Sequence, residues 1–408
     1  MFSMLIRCAD ELFQSEKLSN VHDPAYSQPL CTALQIALVE LLSDWNIAPI
    51  AVVGHSSGEI AAAYCAGGLS RESAWKIAFY RGFFAARLAR ETSTTGSMAV
   101  VALSESSLRP FLAEITAQLG PNRLAIGCAN SPTNNTITGD EECIDALKVL
   151  MDQENVYIRK LKVNVAYHSA HMNAIASEYL GLIKDLDPLN PQPAGKEMPI
   201  MISSVTGHYI PREHLSQSEY WVKNMVSKVK FWDALSQMCS NPLLDTIGIG
   251  DKTYPALPNY LVEIGPHSAL RRPINETLNH ISKSDGIGYS TALVEGVSAL
   301  QSSLQLAGQL RCRGCRVDLV AVNSPGVEES KLQILTDLPE YVFNHSQRYW
   351  LESRLSSNFR FRKFGRHELL GLPANDWNRL EGKWRNIIRH AENPWIQDHK
   401  VYLCSEYC

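Results

Sequence analysis

Gly54-His55-Ser56-Ser57-Gly58 is a Gly-x-Ser-x-Gly turn between an apolar run at residues 50–53 and a small-residue stretch at residues 60–66. The run reads as a short buried strand and the stretch as a helix. A strand entering a helix through such a corner forces the serine into a strained backbone conformation and lifts its Oγ to the top of the sheet. Gly54 and Gly58 are expected to let neighbouring segments approach closely. The chemistry is nucleophilic. Ser56 attacks a carbonyl carbon, and the backbone N–H of Ser57 faces the developing oxyanion with a helix dipole behind it.

A serine at its free pKa is a weak nucleophile, so a base must lie elsewhere in the chain. His168 directly ends the apolar alternation Val163-Asn164-Val165-Ala166-Tyr167, three residues before His171. It is the leading candidate, with His208 and His267 near the ends of other apolar runs as rivals. A lone histidine is nevertheless more often structural than catalytic. Asn224, within Tyr220-Trp221-Val222-Lys223-Asn224-Met225-Val226, can accept from Nδ1–H of the base or sit on the wet face of its helix. Arg81 stands among Phe79, Tyr80, Phe83 and Phe84. A guanidinium in such company snorkels to water, pairs with a structural carboxylate, or grips the carboxylate of a substrate.

These side chains need elements to hold them. Residues 28–42 are apolar enough for a core helix, with Pro29 near its first turn. Ser70 is placed to cap a helix running through residues 74–84. From 96 to 165 the pattern gives a strand at 98–103, a helix at 104–119, strands at 124–129 and 135–138, a helix at 140–153 and a strand at 156–163. That order, βαββαβ, is the ferredoxin-like split unit. Residues 198–203 and 260–264 read as further strands, 275–290 as a polar loop and 299–309 as a helix. Strands alternating with helices around an inserted unit predict an α/β fold with a largely parallel sheet. Residues 338–350 carry Tyr341, Phe343, Tyr349 and Trp350 and read as an ordered linker clamped on a domain by aromatic anchors.

The 408 residues suffice for two or three domains, and 45% hydrophobic with 20% charged residues fits an ordinary globular protein. A net charge of -4 gives no reason to expect nucleic acid or an anionic membrane as partner. Arg7, Asp10 and Glu11 end the first apolar run too early for a secretory signal, and no run is long enough for a membrane span. The ten cysteines therefore read as reduced thiols of a cytoplasmic protein. Cys312-Arg313-Gly314-Cys315 is a lone CxxC without a second pair, so no metal site is expected.

Gly54-His55-Ser56-Ser57-Gly58-Glu59, Tyr80-Arg81-Gly82, Ala129-Asn130-Ser131-Pro132, Ala166-Tyr167-His168-Ser169, Tyr220-Trp221-Val222-Lys223-Asn224 and Val262-Glu263-Ile264-Gly265-Pro266-His267 follow one another in the order of an acyltransferase domain. Together they resemble the malonyl-CoA:acyl-carrier-protein acyltransferase of fungal-type, highly reducing type I polyketide synthases. The resemblance implies an α/β-hydrolase-like core from residues 1–95 and 166–300, split by a ferredoxin-like subdomain at 96–165. Residues 301–360 would be the linker that follows, and 361–408 the truncated start of a dehydratase domain with a hot-dog fold. By the same resemblance Ser56 is the nucleophile, His168 the base and Ser57 an oxyanion donor. Asn224 lies against the histidine and helps orient it, and Arg81 clamps the malonyl carboxylate. Tyr167, just before the base, leaves little room for an α-methyl branch. His399, in Pro394-Trp395-Ile396-Gln397-Asp398-His399, resembles the catalytic histidine of a dehydratase. Implied partners are malonyl-CoA, an acyl carrier protein bearing a phosphopantetheine thiol, and ketosynthase and dehydratase domains of a parent synthase. This region itself is expected to bind no cofactor.

The chain departs from the family in two places. A Gly-Gln-Gly-x-Gln segment, which opens the first strand and supplies the second oxyanion donor, is missing before Ser56. After His399 the family expects glycine where Leu403 stands, and Cys404-Ser405-Glu406-Tyr407-Cys408 is unlike it. The chain is therefore expected to be a piece of a megasynthase. Two rivals follow: an inactive remnant that at most docks synthase partners, and a serine esterase. The esterase would need the order Ser…acid…His, whereas His168 precedes Asn224.

Overall fold

The computed structural model describes residues 10–15, 17–92, 95–189, 198–240, 258–327, 335–347 and 349–399. The chain divides into two compact units, residues 1–332 and 333–408. In the first, helix α1 runs Pro24–Asp44. It begins earlier than the apolar pattern because Asp23 caps it, accepting from the Ala25 N–H with Pro24 in the first turn, and Pro29 becomes an interior residue. Strand β1 (Ala51–Val53) leads through the serine turn into α2 (Gly58–Cys65), and α3 (Arg71–Glu91) starts at Ser70, whose side chain accepts from the Ser73 N–H.

Next come β2 (Gly96–Val101), α4 (Glu105–Leu119), β3 (Leu124–Ser131), β4 (Asn134–Asp140), α5 (Glu141–Gln153) and β5 (Ile158–Lys160). Their sheet order is β5-β2-β4-β3, with antiparallel neighbours throughout, which is the ferredoxin-like arrangement. Leu108, Ile115, Ile137, Ile144, Leu147 and Met151 fill the layer between this sheet and its two helices. β5 keeps only three residues of the longer strand expected there, and the chain reaches His168 without further strand structure.

Beyond that point lie α6 (Asn173–Leu182), β6 (Ile200–Ile202), β7 (Tyr209–Ile210), α7 (Ser218–Val226), β8 (Val229–Lys230) and α8 (Phe231–Ser240). β9 (Tyr260–Glu263), α9 (Arg271–His280), β10 (Gly288–Thr291) and α10 (Ala299–Cys312) complete the main elements. β1 pairs parallel with β6, and β7 pairs antiparallel with β6, while β9 and β10 form a separate parallel pair. The sheets are thus mixed and short, where one largely parallel sheet was expected. β8 joins β3 in parallel register, so the strand that follows α7 extends the ferredoxin-like sheet. α9 replaces part of the expected polar loop. Ile274 and Leu278, four residues apart, turn inward with Pro273 and Thr277 and pack with Leu235, Met238 and Cys239 of α8. Among the described residues, no helix is long and apolar enough to cross a membrane.

The second unit has a short helix at Arg354–Arg360, an antiparallel pair of Leu372–Pro373 with Trp384–Arg385, and a 3-10 turn at Pro394–Asp398. A hot-dog layer is not among its described elements. Tyr341, Phe343, Tyr349 and Trp350, the aromatic anchors expected of a linker, belong to this unit and are exposed within it. Residues 400–408, where the dehydratase-like pattern breaks, lie outside the described residues.

Candidate active site

Ser56 sits in the left-handed region with φ 54, the strain expected of a nucleophile at a strand-to-helix corner. The corner closes on Gly54, where a Cβ would lie 2.2 Å from the Glu59 backbone nitrogen. Only glycine fits there. Gly58 differs from expectation, since a Cβ would meet nothing nearer than Gln35 Nε2 at 3.8 Å, an ordinary contact. The Gly58 N–H donates to the His55 carbonyl and the Glu59 N–H to that of Ser56. The Ser57 N–H, just ahead of α2, has no acceptor among the described residues. It is an orphan donor at a helix N-terminus, suited to an oxyanion.

Of the three histidines weighed as the base, His168 is the one that the structure brings to the serine. Its Nε2 lies 2.6 Å from Ser56 Oγ, whereas His208 and His267 are exposed. The residue itself has φ 59 and is 4% exposed. Its loop is held by Ser169, whose Oγ donates to the Ala166 carbonyl, and by His171, whose Nε2 meets Asp140 Oδ1 at 2.6 Å. Nδ1 lies 2.9 Å from the Ser227 carbonyl. A carbonyl only accepts, so Nδ1 carries the proton and Nε2 is free to accept from Ser56. Burial, then the charge of Arg81, then that of His55 push the imidazole down to about 3, against the Ser227 bond that raises it. It therefore rests neutral.

The expected orienting contact from Asn224 is not made. That role falls to the Ser227 carbonyl, three residues on, because the chain leaves α7 at Ser227 and turns its backbone toward the imidazole. Asn224 is buried, off any wet face, and works elsewhere: its Oδ1 accepts from Arg81 Nη1 at 2.7 Å, and its Nδ2 donates to the Ser56 carbonyl at 3.1 Å. Arg81, 1% exposed, does not snorkel. Its Nη2 donates to Ser56 Oγ at 3.2 Å, its charge lies 5.8 Å from the Tyr167 ring, and its buried Nε–H has no partner among the described residues. A guanidinium with an unused donor beside a nucleophile is prepared for an anion.

Besides the Ser227 carbonyl, two groups escaped the sequence reading. Glu59, 0% exposed, accepts from Tyr220 Oη at 2.7 Å, from Asn224 Nδ2 at 2.9 Å and from the Ser204 N–H. Burial pushes its carboxyl up, and those hydrogen bonds oppose the shift. The available signal was a lone carboxylate abutting the wholly apolar stretch of α2, easily taken for a helix N-terminal charge. The second group is His55, whose Nε2 lies 2.8 Å from Asn130 Oδ1. Asn130 donates its Nδ2 to Asn134 Oδ1 and Thr136 Oγ1, so its oxygen must face His55, and His55 Nε2 must donate. This ties the serine turn to β3 and β4. His399 belongs to the second unit, where it is exposed and follows the 3-10 turn.

The chain matches a family described as "Acyl transferase domain" over residues 6–311. It is 43% identical over 419 residues to a highly reducing polyketide synthase of Pyricularia oryzae, covering 96% of this chain and 15% of that protein. It is also 43% identical over 398 residues to one from Fusarium mangiferae, covering 96% of this chain and 16% of that protein. The chain thus spans a small part of the length of these relatives. Among solved structures, it resembles the acyltransferase domain from module 8 of the salinomycin polyketide synthase, with TM-score 0.60 and 28% identity over 78% of this chain and 70% of that one. It also resembles a loading acyltransferase from the avermectin modular polyketide synthase, with TM-score 0.62 and 27% identity over 76% of this chain and 91% of that one.

Proposed function

The chain belongs to the acyl transferase domain family, and on that premise we propose that it moves malonyl from CoA, through an ester on Ser56, to a carrier protein during polyketide assembly. The observation that carries the reading is Ser56 Oγ itself, 2.6 Å from a neutral imidazole and 3.2 Å from a buried guanidinium. The first contact makes a nucleophile, and the second selects the acyl group. In malonyl a carboxylate stands one methylene from the thioester carbonyl, so a cation beside the attacking oxygen can hold it while the carbonyl is attacked. An esterase would have no use for that cation.

The steps follow from the hydrogen bonds. His168 Nε2 takes the Ser56 proton as Oγ bonds to the thioester carbon, and the Ser57 N–H meets the oxyanion, a kind of contact worth ~3 kcal/mol. As the intermediate collapses, the C–S bond breaks and His168 returns its proton to the CoA sulfur. In the second half, the phosphopantetheine thiol of the carrier gives its proton to His168 and attacks the ester, and Ser56 leaves as a hydroxyl. The Ser227 carbonyl stabilises the imidazolium in both halves. Tyr167, beside Arg81 and the base, crowds the α-carbon, a discrimination worth ~1–3 kcal/mol against a methyl branch. The chain itself needs no bound cofactor for these steps. The parent synthase would supply ketosynthase and dehydratase domains and act in the cytoplasm.

Intact-mass measurement after incubation with malonyl-CoA tests the reading. A malonyl adduct is expected on the chain and none on Ser56→Ala. Steady ester turnover without an accumulating adduct points to the esterase, and no adduct at all to a remnant.

A further inference from the structure

Arg81 is permanently charged and buried, and none of its own hydrogen bonds reaches a carboxylate. A guanidinium left in an apolar interior without compensation is strongly unfavourable, so its charge must be met by something. Glu59 is the fully buried acid whose field reaches it. Between them stands one amide: Asn224 Oδ1 accepts from Arg81 at 2.7 Å, and Nδ2 donates to Glu59 at 2.9 Å. We infer that Glu59 is a positioning residue for Arg81, supplying its counter-charge through the Asn224 amide so that guanidinium donors stay open to the substrate carboxylate.

The spacer explains what direct contact could not. A carboxylate paired directly with Arg81 would fill the planar fork, and malonyl would have to displace it. With no carboxylate, the cation would stand unmet between substrates. The amide takes a single N–H of the five, and its orientation is forced, since Arg81 only donates while Glu59 and the Ser56 carbonyl accept. Asn224 cannot flip while Glu59 is ionised. The same amide also grips the nucleophile's backbone, so the distance from guanidinium to Oγ is set by one side chain. The competing role for Glu59 is a plain structural tie between α2, the Ser204 N–H and Tyr220. That role lowers stability without changing which acyl group is taken.

The inference rests on the reading of Arg81 as the malonyl clamp, and one set of proteins separates the two. Loading by malonyl-CoA and by acetyl-CoA is followed on the full chain, Glu59→Gln, Arg81→Ala and the double variant, together with their thermal unfolding. Glu59→Gln is expected to lower the malonyl-to-acetyl ratio by about tenfold. The double variant should fall no further than Arg81→Ala, and the unfolding shifts should be non-additive. An unchanged ratio in Glu59→Gln, equal loss on both thioesters, or additive unfolding shifts overturns the inference. A wild-type ratio in Arg81→Ala overturns the clamp instead. In that case, or if the chain loads neither thioester, the unfolding cycle alone decides whether Glu59 and Arg81 are coupled. Asn224→Ala cuts the relay without touching either charge, and serves the same comparison should Glu59→Gln fail to fold.

Discussion

His168 lies in the first compact unit and His399 in the second, and each ends a segment that a catalytic histidine would end. The surroundings of the two diverge. His168 has both ring nitrogens engaged, one by Ser56 Oγ and one by the Ser227 carbonyl, and it is buried among α3, α7 and the serine turn. His399 is exposed at the end of a 3-10 turn, in a unit whose described strands are two residues long. The lesson concerns what makes an imidazole a base. Four stretches far apart in sequence, around Ser56, Arg81, His168 and Asn224, must pack before water is excluded and a tautomer is fixed.

The sharpest way to break this contrast is His168→Ala. General-base catalysis by a positioned histidine commonly contributes ~10²–10⁴-fold. Loading of Ser56 by malonyl-CoA, timed by rapid quench and intact mass, should fall by about 10³-fold in His168→Ala. A loss of less than about tenfold would mean that another group takes the serine proton, and the 2.6 Å contact would lose its chemical meaning.

A second, smaller effect sharpens the comparison through pH. Burial holds His168 at about 3, below its ordinary 6.5, and lowers His55 as well. Both histidines bind a proton in the unfolded chain before they do so in the folded one. The stability their neutral burial permits is therefore complete above pH 6.5 and is lost as pH falls from there toward the folded values. For His168 the slope approaches about 1.4 kcal/mol per pH unit in that window, and His55 acts in the same direction. Urea midpoints taken between pH 7.5 and 5 should fall for the chain and fall less for His168→Gln. Equal slopes in the two proteins would mean that His168 is solvated.

Much of this was legible in the sequence, for stated reasons. The βαββαβ order showed through because its helices are amphipathic, the first is capped by Ser104 and its turns fall at fixed places. Ser56, Arg81 and His168 showed through because each is a misfit in its own stretch: a strained serine, a cation among aromatics, a histidine ending an apolar alternation. Glu59, Ser227 and the His55–Asn130 pair did not. Ser227 acts through a backbone carbonyl, which any residue type supplies. Asn224 was found for the wrong partner, because an amide within a helix says nothing of which neighbour it will reach. The α/β class was legible, whereas the mixture of parallel and antiparallel pairs within its sheets was not, because short apolar runs fix neither strand length nor pairing partner.

The smallest expected effect tests the other half of the comparison. An exposed side chain outside a packed network seldom moves stability by more than about 0.5 kcal/mol. His399→Ala should therefore leave the unfolding midpoint within that margin, and because His399 belongs to the other compact unit it is expected to leave malonyl loading of Ser56 within about twofold. The result is informative because His399, like His168, ends a segment that resembles a catalytic one, although the pattern breaks after it at Leu403. A marked loss of loading would show that a histidine needs no fixed partner in its own unit to matter for the serine. A null result would fit a difference between the two histidines that lies in burial and hydrogen bonding, since the residue type is shared.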